Sequence, residues 1–276
     1  MIISCIIAVY NEEKYILRCL TSLNKQKLDF NDQLEIIVVD DGSNDSSRQK
    51  VKSFGNIKLL SQNHLGAGAA RNAGVKYARG EIYIFVDADM EFEQDFVKNL
   101  ISPIQLGQAK GTYSKEEYVA NWQNPIARCW NWNENLPEKK RIPTNAIGTD
   151  FRAILAEEFS KVKGYEPGGY TDTWSLYEKL GYKPKPVAHA KYYHYNPDSL
   201  MEAFKHAKWV GKRKYKLGPI GSVAALIRVS LPVSLIQGFY KAIKYHEVMF
   251  VPFKVVWDAG LSWGIIKYSL SGAGEK

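Results

Sequence analysis

"GEIYIFVDADM" (Gly80–Met90) runs from a glycine through five consecutive apolar or aromatic residues into two aspartates one residue apart. A short, continuous, β-branched run of this kind suits a strand covered on both faces. Asp87 and Asp89, alternate residues at its end, then face the same place. An Asp-x-Asp triplet says little alone, because Asp is common where a strand enters a turn. Its meaning depends on what converges with it.

Upstream, the chain alternates between strand-like and helix-like pattern. "IISCIIAVY" suits a buried strand, and "NEEKYILRCLTSLNKQ" places Tyr15, Ile16, Cys19, Leu20 and Leu23 at helical spacing, with Asn11 as N-cap. "LEIIVVDDGS" is a second strand, "NDSSRQKVKSF" a helix capped by Asp45 or Ser46, "NIKLLSQN" a third strand, and "GAGAARNAGVKYARG" a short helix of small residues. Apolar runs with helices between them predict an α/β fold with a mostly parallel central sheet covered on both faces. Three of the four strands close on polar residues, in "VYNEE", "VVDDGS" and "VDAD". Parallel strands put these on one rim, where ligands of open sheets bind.

The chain has 276 residues, 45% of them apolar, enough for one large domain or two small ones. Cys5, Cys19 and Cys129 are too few and too scattered for a disulfide framework or a thiolate metal site. With an N-terminus that lacks a basic leader, they point to a reducing, cytosolic setting. Residues 201–276 carry 12 Lys and Arg against 4 Asp and Glu, whereas residues 1–200 carry 25 of each. The net charge of +8 therefore lies wholly in the C-terminal quarter. Such blocks attract the phosphates of nucleic acid or of anionic lipid.

Beyond residue 90, "FEQDFVKNLISPI" is helical in pattern, "NWQNPIARCWNWNENLP" is aromatic and irregular, and "AIGTDFRAILAEEFSKVKGYEP" is read as a helix ending at Gly164. A single catalytic domain over residues 1–216 is expected. Residues 217–276 are apolar but interrupted by Arg228, Lys241, Lys244, Lys254, Asp258 and Lys267. Without eighteen uncharged residues in a row, a bilayer span is not expected. Two amphipathic helices lying in a membrane interface are, with Trp257, Trp263 and Tyr268 at the boundary.

The ordered set "SCIIAVYNEEKYILRCLTSLNKQ", "EIIVVDDGSNDSS", "GAGAARNAG" and "IYIFVDADM" resembles the inverting family 2 glycosyltransferases, densely over residues 3–100 and more weakly to about 216. The resemblance implies the GT-A fold, a Rossmann-like sheet that binds a nucleotide diphosphate sugar, with residues 1–100 as the nucleotide-binding part and residues 101–216 as the acceptor-binding part. A diphosphate can enter a site of carboxylates only with a cation, so Asp87 and Asp89 are candidate ligands for Mn²⁺ or Mg²⁺. By resemblance, Asp87 also approaches the ribose, and Ala88 counts with the donor contacts. Asp41 accepts a hydrogen bond from the base, with uracil favoured, Tyr10 and Glu12 line base and ribose, and Arg71 lies near the nucleotide. In "GGYTDTWSLYEKLGYKP", Asp172 takes the place of the general base, while Thr171 stands where relatives carry a first acid. A third metal ligand is expected from His194, with His189 as runner-up.

The expected partners are a nucleotide diphosphate sugar, a lipid-linked or glycan acceptor and a membrane surface, at the cytosolic face of the cell membrane. A non-catalytic sugar-nucleotide binder is the alternative, supported by Thr171. A basic nucleic-acid-binding protein has less behind it: strand-end acids repel phosphates, no recognition motif is present, and no nucleic-acid partner is expected.

Overall fold

Four apolar runs form the centre of the fold, and each returns the chain to the same edge. The computed structural model describes residues 1–136, 138–143, 148–166, 172–212 and 215–271, with the backbone alone for 172–174 and 271. In chain order, β1 (Ile2–Val9) leads to α1 (Ile16–Asn24), β2 (Gln33–Asp40) to α2 (Ser47–Ser53), and β3 (Lys58–Ser61) to α3 (Ala67–Val75). β4 (Ile82–Asp87) turns into β5 (Met90–Phe92), followed by α4 (Phe96–Gln105), β6 (Gly111–Ser114), β7 (Glu117–Val119) and α5 (Pro125–Asn133). Next come β8 (Ala153–Leu155), α6 (Ala156–Lys161), α7 (Asp172–Leu180), β9 (Lys185–Val187) and β10 (Tyr192–His194). The chain ends in α8 (Leu200–Gly211), α9 (Gly218–Arg228), α10 (Leu231–Tyr245) and α11 (Phe250–Ser271).

Two compact units result, one from residues 1–118 and 144–194, the other from 119–143 and 195 onward. The sequence suggests a single boundary near residue 216. The units divide earlier because α8 packs along α11, and α5 joins the same cluster.

In the first unit the sheet order is β3-β2-β1-β4-β8-β6-β9. β1 to β4 are mutually parallel, as the apolar runs predict. β8 is antiparallel to both β4 and β6. Its residues fall in the stretch expected as one helix to Gly164. The backbone of Ala153–Leu155 pairs with Ile82–Ile84 instead, and only the chain after it is helical. Three apolar residues are too few to declare a period.

Both faces of the sheet are covered. Ile3, Cys5 and Ile7 of β1 pack among α1 and α4, while Ile6 points the other way, among Phe85, Phe159, Tyr165 and Leu176. Asn11 does not cap α1, which begins at Ile16. It adopts a left-handed φ of 57°, and its Oδ1 accepts the amide of Asn44 at 2.8 Å, pinning one strand-end loop to the next. All three cysteines are buried free thiols.

In the second unit, the aromatic stretch expected to be irregular forms α5. Asn124 Oδ1 accepts the amides of Ile126 and Ala127, and Pro125 follows at the first helical position. Three helices, not two, occupy residues 217–271. Trp257, expected at a boundary, is buried against Phe253 and Trp130, whereas Trp263 is exposed.

Gly74 sets how closely α3 approaches the sheet: a Cβ there would meet Ile6 Cγ2 at 2.6 Å. Gly74→Ala should therefore cost about 1–3 kcal/mol through overpacking. Thermal unfolding reads this directly, and an unchanged midpoint would show that α3 has slack.

Candidate active site

The strand register decides which side chains meet. Ala8 lies beside Asp87 and Val9 beside Asp40, so the residues that follow β1, β2 and β4 emerge together on one edge. Asp40 Oδ1 accepts the Ser43 amide at 3.2 Å and shapes the loop after β2. Asp41 is buried and saturated. Its Oδ1 accepts from Gln62 Nε2 at 2.7 Å and the Leu65 amide at 2.9 Å. Its Oδ2 accepts the Gly66 amide at 2.9 Å and lies 2.9 Å from His64 Nδ1. The His64 ring also stacks on Tyr10, with centroids 3.9 Å apart. The backbone of Glu12 is tied to the Ser47 hydroxyl, which accepts its amide at 2.7 Å. Gln62 and His64 were not singled out from sequence, since they stand 21 and 23 positions from Asp41; the signal present was their place just past the end of β3, in "LLSQNH".

Asp87 is held by two guanidiniums. Arg71, buried on α3, donates to its Oδ1 at 2.7 Å, and Arg152, just before β8, approaches its Oδ2 at 3.4 Å. Arg152 is held in turn by Asp150 at 3.2 Å and lies over the Tyr192 ring. Burial alone would raise the Asp87 carboxyl, but the two guanidiniums, helped by His194, hold it well below the usual carboxylate range. Arg152 was missed because its role depends on β8, which brings it to β4 from 65 residues away.

Asp89, in the turn after β4, meets His194 at the end of β10: Oδ2 to Nε2 is 3.1 Å. The other ring nitrogen lies 2.8 Å from Glu117 Oε1, and Glu117 Oε2 accepts the Tyr192 hydroxyl at 2.9 Å. A small sheet of order β5-β10-β7 makes this chain of contacts possible. The three expected ligands thus separate: Asp89 and His194 are together, while Asp87 is committed to arginines. His189 stands exposed on the turn before β10, its amide donating to Glu116. Ala88 is buried between the two aspartates. Asp172 is the first residue of α7, and its side chain, like all of Thr171, lies outside the described residues.

A mostly parallel sheet with this acid-lined carboxyl edge defines a GT-A fold. The sequence matches the model of glycosyl transferase family 2 over residues 4–154, and the chain belongs to that family. Among curated proteins it is similar to the poly(ribitol-phosphate) beta-glucosyltransferase of Bacillus spizizenii, 40% identical over 124 residues, covering 40% of this chain and 19% of that protein. It is also similar to the poly(ribitol-phosphate) beta-N-acetylglucosaminyltransferase TarS of Staphylococcus aureus, 39% identical over 102 residues, 35% of this chain and 18% of that one. The chain thus matches only a minor part of these relatives' length. Among solved structures, S. aureus TarS 1–349 in complex with UDP-GlcNAc superposes with a TM-score of 0.58 at 15% identity, covering 99% of this chain and 92% of that one. The mannosyltransferase PcManGT from Pyrobaculum calidifontis, in complex with GDP-Man and Mn²⁺, gives 0.57 at 16% identity, covering 98% and 87%.

Arg152→Met leaves Asp150 and Asp87 short of one cation and should destabilise the protein by about 2–4 kcal/mol, since both acids are partly solvated. Asp87 has a depressed carboxyl, so its stabilisation is complete above the ordinary Asp pKa of about 3.9 and is lost as pH falls through the depressed value. The gap between the two proteins in urea unfolding should therefore be full at neutral pH and shrink in strong acid. An equal gap at both would mean packing, not charge, is what Arg152 supplies.

Proposed function

We propose that the chain is an inverting glycosyltransferase that moves a sugar from a nucleotide diphosphate sugar to a hydroxyl or phosphate of a lipid-linked or glycan acceptor, at the cytosolic face of the cell membrane. The observation that carries this reading is the convergence of Tyr10, Asp41, Arg71, Asp87, Asp89 and His194 at the carboxyl edge of β1, β2 and β4. Family membership supports the class of reaction. A uridine donor is favoured, in keeping with the UDP-GlcNAc held by TarS 1–349. The poly(ribitol-phosphate) named for two relatives supports an acceptor rich in hydroxyls and phosphates.

The donors present fit a divalent cation, Mn²⁺ or Mg²⁺. Asp89 Oδ2 and His194 Nε2 are 3.1 Å apart, and two ligands about 2.1 Å from one octahedral ion stand about 3.0 Å apart. Glu117, behind His194, is the carboxylate that fixes the ring tautomer in such sites. Among the described residues no group of three or more His, Cys, Asp or Glu could hold a metal alone. The remaining positions suit water and diphosphate oxygens. When bound, such an ion supplies Lewis-acid stabilisation of the leaving diphosphate.

The chain's own residues have distinct parts. Arg71 and Arg152 keep Asp87 ionised at the rim, and the Tyr10 ring offers a flat face to the base or ribose. Asp172, on the resemblance of "GGYTDTW", is the general base that takes the acceptor proton. A screen of nucleotide sugars for transfer, with and without chelator, tests the reading. Asp172→Asn should lower kcat at least about a hundredfold with donor binding retained. Transfer at the original rate would remove Asp172 from that role, and a product of retained anomeric configuration would refute inversion. Asp89→Asn should raise the Mn²⁺ concentration needed for half-maximal donor binding.

A further inference from the structure

Helix α10 is amphipathic in the sense opposite to that of a helix packed in water. Its inward side carries the small or polar Ser234, Gly238, Lys241 and Ala242, together with Tyr245, which stacks on Trp132 at the C-terminal end. Ser234 Oγ donates to Asp258 Oδ2 at 2.7 Å, and Asp258 Oδ1 is paired with Lys254 at 2.7 Å, so buried polar groups are satisfied between α10 and α11. The outward arc is apolar: Leu231, Leu235, Ile236, Phe239, Tyr240 and Ile243, with Ile243 75% exposed. A water-facing helix normally points that stripe at its core. Helix α9 continues the pattern, with no buried residue and with Ile220, Val223 and Ile227 exposed at helical spacing.

Charge identifies the occupant of this face. Residues 215–271 contain six Lys and Arg against Glu247 and Asp258. Both acids are spent inside the unit, Glu247 on Arg128 and Asp258 on Lys254, so the net charge that remains is cationic. No single helix among the described residues is long and apolar enough to cross a bilayer; α9 and α10 reach that composition only as a pair bent by 52°. An apolar arc with flanking Lys and Arg, too short to span, is the form of a helix that lies in the headgroup plane.

We propose that the outward faces of α9 and α10 form a docking surface for the anionic surface of a lipid bilayer, with their apolar side chains seated at the headgroup–acyl boundary. This rests on the membrane-face location proposed above but on no assumption about the sugar or acceptor. Flotation of the full chain with phosphatidylcholine vesicles, with and without phosphatidylglycerol, tests it.

Binding should require phosphatidylglycerol and weaken with salt. The double substitution Ile236→Glu with Phe239→Glu should reduce partitioning at least about tenfold, with the unfolding midpoint unchanged because both positions are exposed. Leu106→Glu, exposed in the first unit, should bind vesicles as the original does. The proposal is overturned if the chain stays with the aqueous phase, or if the double variant floats like the original. It is equally overturned if the chain is a dimer without lipid, the double variant breaks that dimer, and vesicle binding is unaffected, since the face would then belong to a second copy.

Discussion

A carboxylate at the end of a strand with no exposed residue needs compensation, and for Asp87 two guanidiniums supply it. Arg71 comes from the helix over β1 and β2, and Arg152 from the segment that enters the sheet antiparallel beside β4. Three stretches of chain are therefore tied at one ionic point. Removing water from such a charge without partners costs several kcal/mol, so α3 and β8 are bound to the rim as firmly as the acid is. The closeness of α3 at Gly74 and the reversal of β8 serve this same point, and the remaining polar residues of the edge are arranged around it.

Much of this was legible in the residues, and what escaped had a common cause. The four parallel strands announce themselves as continuous apolar runs, and the polar residues that end them mark the functional edge. Asp89 and His194, 105 positions apart and both expected as metal ligands, are in contact, while Asp87 turns to the arginines. Arg152 and Glu117 were illegible because one precedes and the other opens a strand of three residues, too short to carry a period, and the partner of each is distant in the chain. Helix α5 was hidden by aromatic residues without a clean stripe, although Asn124-Pro125 is a start signal that local chemistry explains. Asn11 shows the reverse error. Its residue type suits a cap, but the loop used it to grip Asn44.

The two units both bury an apolar core but place their remaining polar and apolar groups differently. In the first, apolar side chains fill both faces of the sheet, and charge gathers at one edge. In the second, an aromatic core around Trp130, Phe253 and Trp257 is flanked by a buried Lys254–Asp258 pair and Ser234, while isoleucines and a phenylalanine of α9 and α10 face outward. Each distribution is self-consistent, because every buried polar group just named has its partner. The outward apolar arc on a cationic helix pair is the feature on which the proposed lipid contact rests.

The saturation of Asp41 has a consequence for how strongly any ligand can be held there. Four protein donors already occupy its carboxylate, so a base that reads this acid must exchange with one of them. The amides of Leu65 and Gly66 are fixed by the backbone, which leaves Gln62 or His64 to give way. Because one hydrogen bond replaces another, the exchange adds little to affinity. It penalises instead any base that evicts a donor without offering one. An acid already satisfied in this way favours discrimination over grip for whatever ligand reaches it.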